Sequence, residues 1–158
     1  MSTSVTSLGE REMLITRTFN APRSLVFEAN TKPELVKRWL GVRNGWILAE
    51  CEIDLRVGGR YRYVWRQEAK GKQMASGGEF CEIAVPELTV FTEAFEDPWY
   101  PGEGLVFVTY SETAGKTLMT MRIEYPTEEC RDMVMKSGME RGMEESYAVL
   151  DVVLATLA

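Results

Sequence analysis

SGMERGMEESYAVLDVVLATLA, residues 137–158, is the stretch whose reading decides the fold. At 3.6 residues per turn, Met139, Met143, Tyr147, Leu150, Leu154 and Leu157 fall along one side, flanked by Gly142, Ser146, Val149 and Val153. Glu140, Arg141, Glu144, Glu145 and Asp151 fall opposite. The apolar stripe is wider than a coiled-coil seam, which predicts an amphipathic helix lying across a sheet. Its first turns place Gly138, Gly142 and Ser146 at i, i+4 and i+8, and each glycine costs a helix about 1 kcal/mol relative to alanine. Two readings of these small side chains stay open. Either helix and sheet pack closely, or a ligand takes the space between them.

Upstream of that helix the pattern has period two. Ile47, Ala49, Cys51, Ile53 and Leu55 share a face, with Glu50, Glu52 and Asp54 on the other. Asp54–Gly59 makes a turn, and Arg60–Arg66 then alternates Tyr61, Tyr63 and Trp65 against Arg60, Arg62 and Arg66. Further strands are expected from Gly77 to Val85, Leu88 to Glu96, Leu105 to Glu112 and Thr117 to Tyr125. Pro126 ends the sheet, and Thr127 with Glu128 and Glu129 starts a helix. The stripe slips between Arg131 and Lys136, so a kink or fresh start falls near Ser137, where Ser137-x-x-Glu140 reads as a capping box.

Nearer the N-terminus, residues 1–10 are Ser/Thr-rich without periodicity and read as a loose arm, leaving 11–158 as one domain. Met13 to Phe19 alternates as a strand, with Arg17 on its more apolar face. Asn20 reads as the cap of a short helix over 22–29, and Thr31-Lys-Pro-Glu34 as the start of a second one ending near Trp39. One strand, two short helices, six meandering strands and a long helix predict an α+β fold. In it a curved antiparallel sheet closes over the C-terminal helix.

Composition narrows the function. The net charge of −6 argues against nucleic acid or an acidic membrane as partner. The absence of histidine removes the usual zinc ligand and general base. Cys51, Cys81 and Cys130 form no CxxC pair, so buried free thiols are expected rather than a disulfide or a metal site. No basic-then-apolar segment opens the chain and no apolar run approaches about 18 residues, so the expected setting is the cytoplasm, without membrane insertion. No phosphate loop, nucleophile elbow or metal-ligand spacing appears, and no cofactor is expected.

Four stretches carry a family resemblance: RTFNAPRSLVFEANTKPELVKRWLG (17–41), DLRVGGRYRYVWR (54–66), GGEFCEIAVPELTVFTEAF (77–95) and GMERGMEESYAVLDVVL (138–154). In their order and spacing the chain resembles the START-like helix-grip (SRPBCC) superfamily. Within it, the chain is similar to the activator-of-heat-shock-protein-ninety-ATPase homologue domain. The resemblance implies a pocket for a small apolar molecule between sheet and helix, a chaperone as the alternative partner, and a stress-response role. Some superfamily members are polyketide cyclases. Two departures reshape the cavity floor: Leu40 and Met143 stand where relatives usually carry tryptophan or another aromatic.

The expected lining is Trp39, Tyr61, Tyr63, Trp65, Glu93, Val108, Tyr110, Met119, Met121, Met139, Gly142, Met143 and Tyr147. Tyr61, Tyr63 and Trp65 face inward because Arg60, Arg62 and Arg66 would be costly there, and the methionines make the wall deformable. Arg17 and Glu93 each lie on the apolar face of a strand. They are either partners inside the cavity or residues of a wet edge. Trp99 and Tyr100 read as a lid or a contact patch. Three functions follow. Binding of a lipid-like or aromatic molecule leads. A co-chaperone-like module using the arginine stripe against an acidic partner is the alternative, and a cyclase-like enzyme using Glu93 or Tyr110 comes third. The chain is a monomer or a homodimer on any of them.

Overall fold

Ser4–Leu8 is a strand, β1, where the sequence reads as a loose arm. The computed structural model describes residues 2–97 and 102–157. β1 runs antiparallel to β2 (Glu12–Phe19), with Val5 opposite Ile15 and Ser7 opposite Met13. Its side chains are mostly exposed, and the pairing is made by backbone groups, so no apolar alternation marks it. The Thr3 N–H also donates to the Glu144 carboxylate at 2.7 Å.

Two short helices follow, α1 (Arg23–Thr31) and α2 (Pro33–Val36). Pro22, not Asn20, precedes α1, and Thr31 Oγ1 donates to the Phe27 carbonyl instead of capping α2. Six strands then meander: β3 (Ile47–Ile53), β4 (Arg60–Gln67), β5 (Lys72–Ala84), β6 (Leu88–Phe95), β7 (Gly104–Thr113) and β8 (Lys116–Glu124). β5 starts at Lys72 rather than Gly77, directly after a left-handed turn at Gly71. The chain ends in α3 (Glu128–Met135) and α4 (Met139–Leu157).

The eight strands among the described residues form one antiparallel sheet in the order β1-β2-β8-β7-β6-β5-β4-β3. The first long strand therefore closes beside the last, and the meander extends outward from that seam. Bulges fall between Leu48 and Glu50 and between Phe80 and Glu82. The first of these overturns the expected facing at the start of β3, while Cys51 and Ile53 beyond it pack inward as expected. Leu48 is 3% exposed and Ile47 45%, because one extra residue inverts the alternation.

The concave face grips α4. Met13, Ile15 and Phe19 of β2, Val106 and Val108 of β7 and Met119 and Ile123 of β8 join Tyr147, Leu150, Val153 and Leu154 of the helix in one core. Each such side chain contributes about 1.5–3 kcal/mol on burial. This is the helix-grip arrangement. The stripe breaks between α3 and α4, where Gly138 takes φ +85°, a backbone setting that suits glycine. Ser137 Oγ donates back to the Val134 carbonyl, so the anticipated capping box does not form. No helix among the described residues is long and apolar enough to cross a membrane.

Arg17 secures α4 to β2. Its guanidinium, 3% exposed, holds Asp151 through both carboxylate oxygens at 3.1 and 3.0 Å and also donates to the Tyr147 carbonyl at 3.0 Å. The anticipated Arg17–Glu93 partnership is therefore not made. Asp151, placed on the far face by helical periodicity, lies close enough to the helix flank for its carboxylate to reach inward.

Candidate functional site

Only the lower half of α4 seals against the sheet. Beyond Tyr147, toward Met139, helix and sheet diverge around a cavity of about 400 Å³. β4 supplies one wall with Tyr61, Tyr63 and Trp65, whose rings continue each other at centroid separations of 5.1 and 5.7 Å. Alternation puts all three inward, while Arg62 and Arg66 point out to ion pairs with Glu96 and Glu50. β6 adds Phe91, Glu93 and Phe95; β7 adds Val108 and Tyr110; β8 adds Met121 and Ile123. Met139, Gly142, Met143, Ser146 and Tyr147 of α4 form the roof, and Trp39 closes one end, its indole N–H donating to the Ala29 carbonyl at 2.8 Å.

The cavity is bordered by each of the residues expected at a ligand site except Met119. Met119 lies on the same face of β8 as Met121, but it packs into the main core at 1% exposure. Position along the strand decides this: Met119 pairs with Arg17 in the seam that α4 covers, and Met121 lies farther along, past it. Several lining residues escaped the sequence reading. Phe91 and Phe95 sit at i−2 and i+2 from Glu93, so the same alternation could have found them. Asn30, Thr31, Arg43 and Trp46 come from helix ends and loops, where no period applies. The lid or contact patch expected of Trp99 and Tyr100 lies outside the described residues.

The small-residue line resolves into three separate uses. Gly138 breaks the helix. A Cβ at Gly142 would lie 2.8 Å from Arg43 Nη2, so the missing side chain admits a guanidinium, which pairs with Glu145 at 2.8 Å. Ser146 Oγ accepts the Gly41 N–H at 3.1 Å. The Trp65 indole donates to the Leu40 carbonyl at 3.0 Å, so the loop between α2 and β3 is tied to both helix and sheet along the cavity rim.

Electrostatically the site is sparse. Burial pushes the phenols of Tyr63, Tyr110 and Tyr147 well above their ordinary range, so they stay neutral hydrogen-bonding groups rather than bases. Tyr110 is hydrogen-bonded to Thr89. Glu93 is crowded by neighbours yet keeps part of its surface on the cavity, and burial raises its carboxyl to about 6. Cys51, near Tyr63, is pushed up to about 11 by burial. Of the expected buried thiols, Cys130 is buried and Cys51 half-buried. Cys81 is exposed, beside the β5 bulge that turns its strand.

The family model for activator of Hsp90 ATPase homolog 1-like proteins matches residues 20–155. The chain belongs to that family. The crystal structure of a Rhodobacter sphaeroides protein is similar across 99% of each chain, at 30% identity and a TM-score of 0.92. The solution structure of an Arthrobacter aurescens protein is similar over 97% of this chain and 91% of its own, at 25% identity and a TM-score of 0.84. An AHSA1-like protein from Aeromonas hydrophila shares the fold at 18% identity and a TM-score of 0.72, over 92% of this chain and 96% of that one. No protein in a comparison with curated sequences matches. In this activator of Hsp90 ATPase homolog 1-like protein, Leu40 and Met143 both border the cavity.

Proposed function

We propose that this protein binds one small apolar molecule, lipid-like or aromatic, between the sheet and α4. The observation that carries the reading is the aromatic-walled cavity itself. Its volume of about 400 Å³ falls in the range of roughly 300–1,000 Å³ common to small-molecule sites, and its lining is mostly apolar with few polar groups. Met121, Met139 and Met143 give the wall side chains that repack around different shapes. Family membership supports a ligand-binding or activator-type role in general terms.

The activator reading calls for a basic surface to meet an acidic partner. Arg62 and Arg66 already meet Glu96, just past the end of β6, and Glu50 of β3, which leaves less free positive charge than the sequence suggests. The cyclase reading rests on Glu93 and the tyrosines, and burial keeps Tyr63, Tyr110 and Tyr147 protonated. Ligand binding therefore has the stronger physical support. The expected setting is the cytoplasm, where the thiols stay reduced.

Native mass spectrometry of the purified protein tests the reading. The expected result is a co-purified mass that disappears under denaturing spray, or, from emptied protein, a one-to-one complex with added naphthalene. Only the bare chain mass at every naphthalene concentration would overturn it.

A further inference from the structure

Across the sheet at the level of Glu93, side chains are missing on both sides of the carboxylate. Glu93 of β6 pairs with Gly104 of β7. The β5–β6 pairs Gly77–Ala94 and Phe80–Phe91 bracket Gly78 and set it on the other side. Gly78 has a steric reason, since a Cβ there would lie 1.9 Å from the Thr92 carbonyl oxygen. Gly104 has none of that kind: a Cβ would meet its nearest neighbour at 3.5 Å, ordinary contact. The carboxylate thus stands in a clearing, and among the described residues it makes no hydrogen bond or ion pair.

The other charged or titratable groups on the cavity are Tyr61, Tyr63, Tyr110, Tyr125, Tyr147 and Arg43. Tyr61 spends its hydroxyl on the Thr92 carbonyl at 2.6 Å, and the phenols of Tyr63, Tyr110 and Tyr147 are neutral. Arg43 is held at the rim by Glu145. Among the described residues no cation therefore answers Glu93, and an unanswered buried charge is costly. Around it stand Tyr61, Tyr63, Phe91 and Phe95, whose ring faces are electron-rich and attract cations. With burial raising Glu93 only to about 6, the group is still mostly ionised at neutral pH. An apolar box with one bare carboxylate and several aromatic faces is complementary to a positive charge on an apolar body.

We propose that the ligand is an organic ammonium, its apolar body along Tyr61, Tyr63 and Trp65 and its charged nitrogen against the Glu93 carboxylate. This rests on the ligand-binding reading above and adds the charge of the ligand to it. The positive end replaces the missing partner of Glu93, and the aromatic faces supply cation–π attraction in a site screened from water. Protons compete for the same carboxylate, so affinity for the cation falls as pH drops through about 6.

Two probes of the same shape separate this proposal from its foundation: (naphthylmethyl)trimethylammonium, and neopentylnaphthalene, in which carbon replaces the charged nitrogen. Both are titrated into the full chain by calorimetry at pH 7.5 and pH 5, with Glu93→Gln alongside. The ammonium is expected to bind at least tenfold tighter than the neutral probe at pH 7.5. Between pH 7.5 and 5 its affinity should fall about fivefold, as a tenfold preference for the ionised carboxylate requires. Glu93→Gln should bring the two probes within about twofold of each other. Equal binding of both probes to the unaltered protein, or a cation preference that survives Glu93→Gln, overturns the ammonium proposal and leaves the apolar cavity standing. Failure of both probes to bind overturns the two together. Should Glu93→Gln fold poorly, the pH series on the unaltered chain decides: a cation preference unchanged at pH 5 refutes the proposal.

Discussion

Replacing Glu93 by glutamine keeps the shape of the side chain and removes its charge. In the folded chain burial holds the carboxyl at about 6, against 4.5 for an ordinary, solvent-exposed glutamate such as the unfolded chain presents. Between those values the folded state binds the proton that the unfolded state has already released. Stability therefore falls as pH rises through this window, and the loss is complete above about 6. The gap corresponds to on the order of 2 kcal/mol, at about 1.4 kcal/mol per pH unit. The Glu93→Gln variant lacks this term, so its stability relative to the parent should rise by up to about 2 kcal/mol from pH 4.5 to pH 7. The chain has no histidine, which leaves the window between pH 5.5 and 7 unusually free of other titrations. Urea unfolding followed by tryptophan fluorescence, on both proteins across this range, reads the difference. Parallel curves, within about 0.5 kcal/mol at every pH, would refute a desolvated Glu93.

Other substitutions test the frame around the cavity. Asp151→Ala strips a bidentate partner from the buried Arg17 and should cost about 3 kcal/mol of stability in urea unfolding, in line with broken buried pairs; a loss below about 1 kcal/mol would make it an ordinary surface pair. Gly78→Ala must push a Cβ into the Thr92 carbonyl and should cost at least about 2 kcal/mol, whereas Gly142→Ala displaces only the mobile end of Arg43 and should stay within about 1 kcal/mol of the parent. Equal thermal shifts for the two alanines would contradict the contacts at both sites. For the thiols, Cys81 should react fast with a disulfide reagent at pH 8, while burial slows Cys51 and Cys130 until denaturant exposes all three. Rapid release of every thiol from the native protein would contradict that ranking.

Alternation and helical periodicity made most of the architecture legible. Tyr61, Tyr63 and Trp65 could be placed inward because their neighbours are arginines, and α4 could be set across the sheet from the width of its stripe. What stayed hidden was whatever depends on backbone pairing or on distance along a strand. β1 binds through main-chain groups at an edge, so its sequence carries no signature. The bulge after Leu48 inverts the facing of Ile47 without any marker residue. Met119 and Met121 are equivalent by parity, and only the position of α4 over β8 separates core from cavity. Arg17 was visible as a buried charge, but its partner Asp151 sits on another element, and the choice between Asp151 and Glu93 needed three-dimensional proximity.

Methyl NMR of the methionines tests the cavity most directly, because the chain has nine of them and the described ones include cavity, core and surface positions. Met121, Met139 and Met143 line the cavity; Met13 and Met119 lie in the sealed core, and Met133 is on the surface at 45% exposure. On titration with naphthalene, the methyls of Met121, Met139 and Met143 should shift together and saturate, while Met13, Met119 and Met133 hold still. Saturating shifts confined to Met133, or no saturating shift at any methionine, would contradict a ligand site between the sheet and α4.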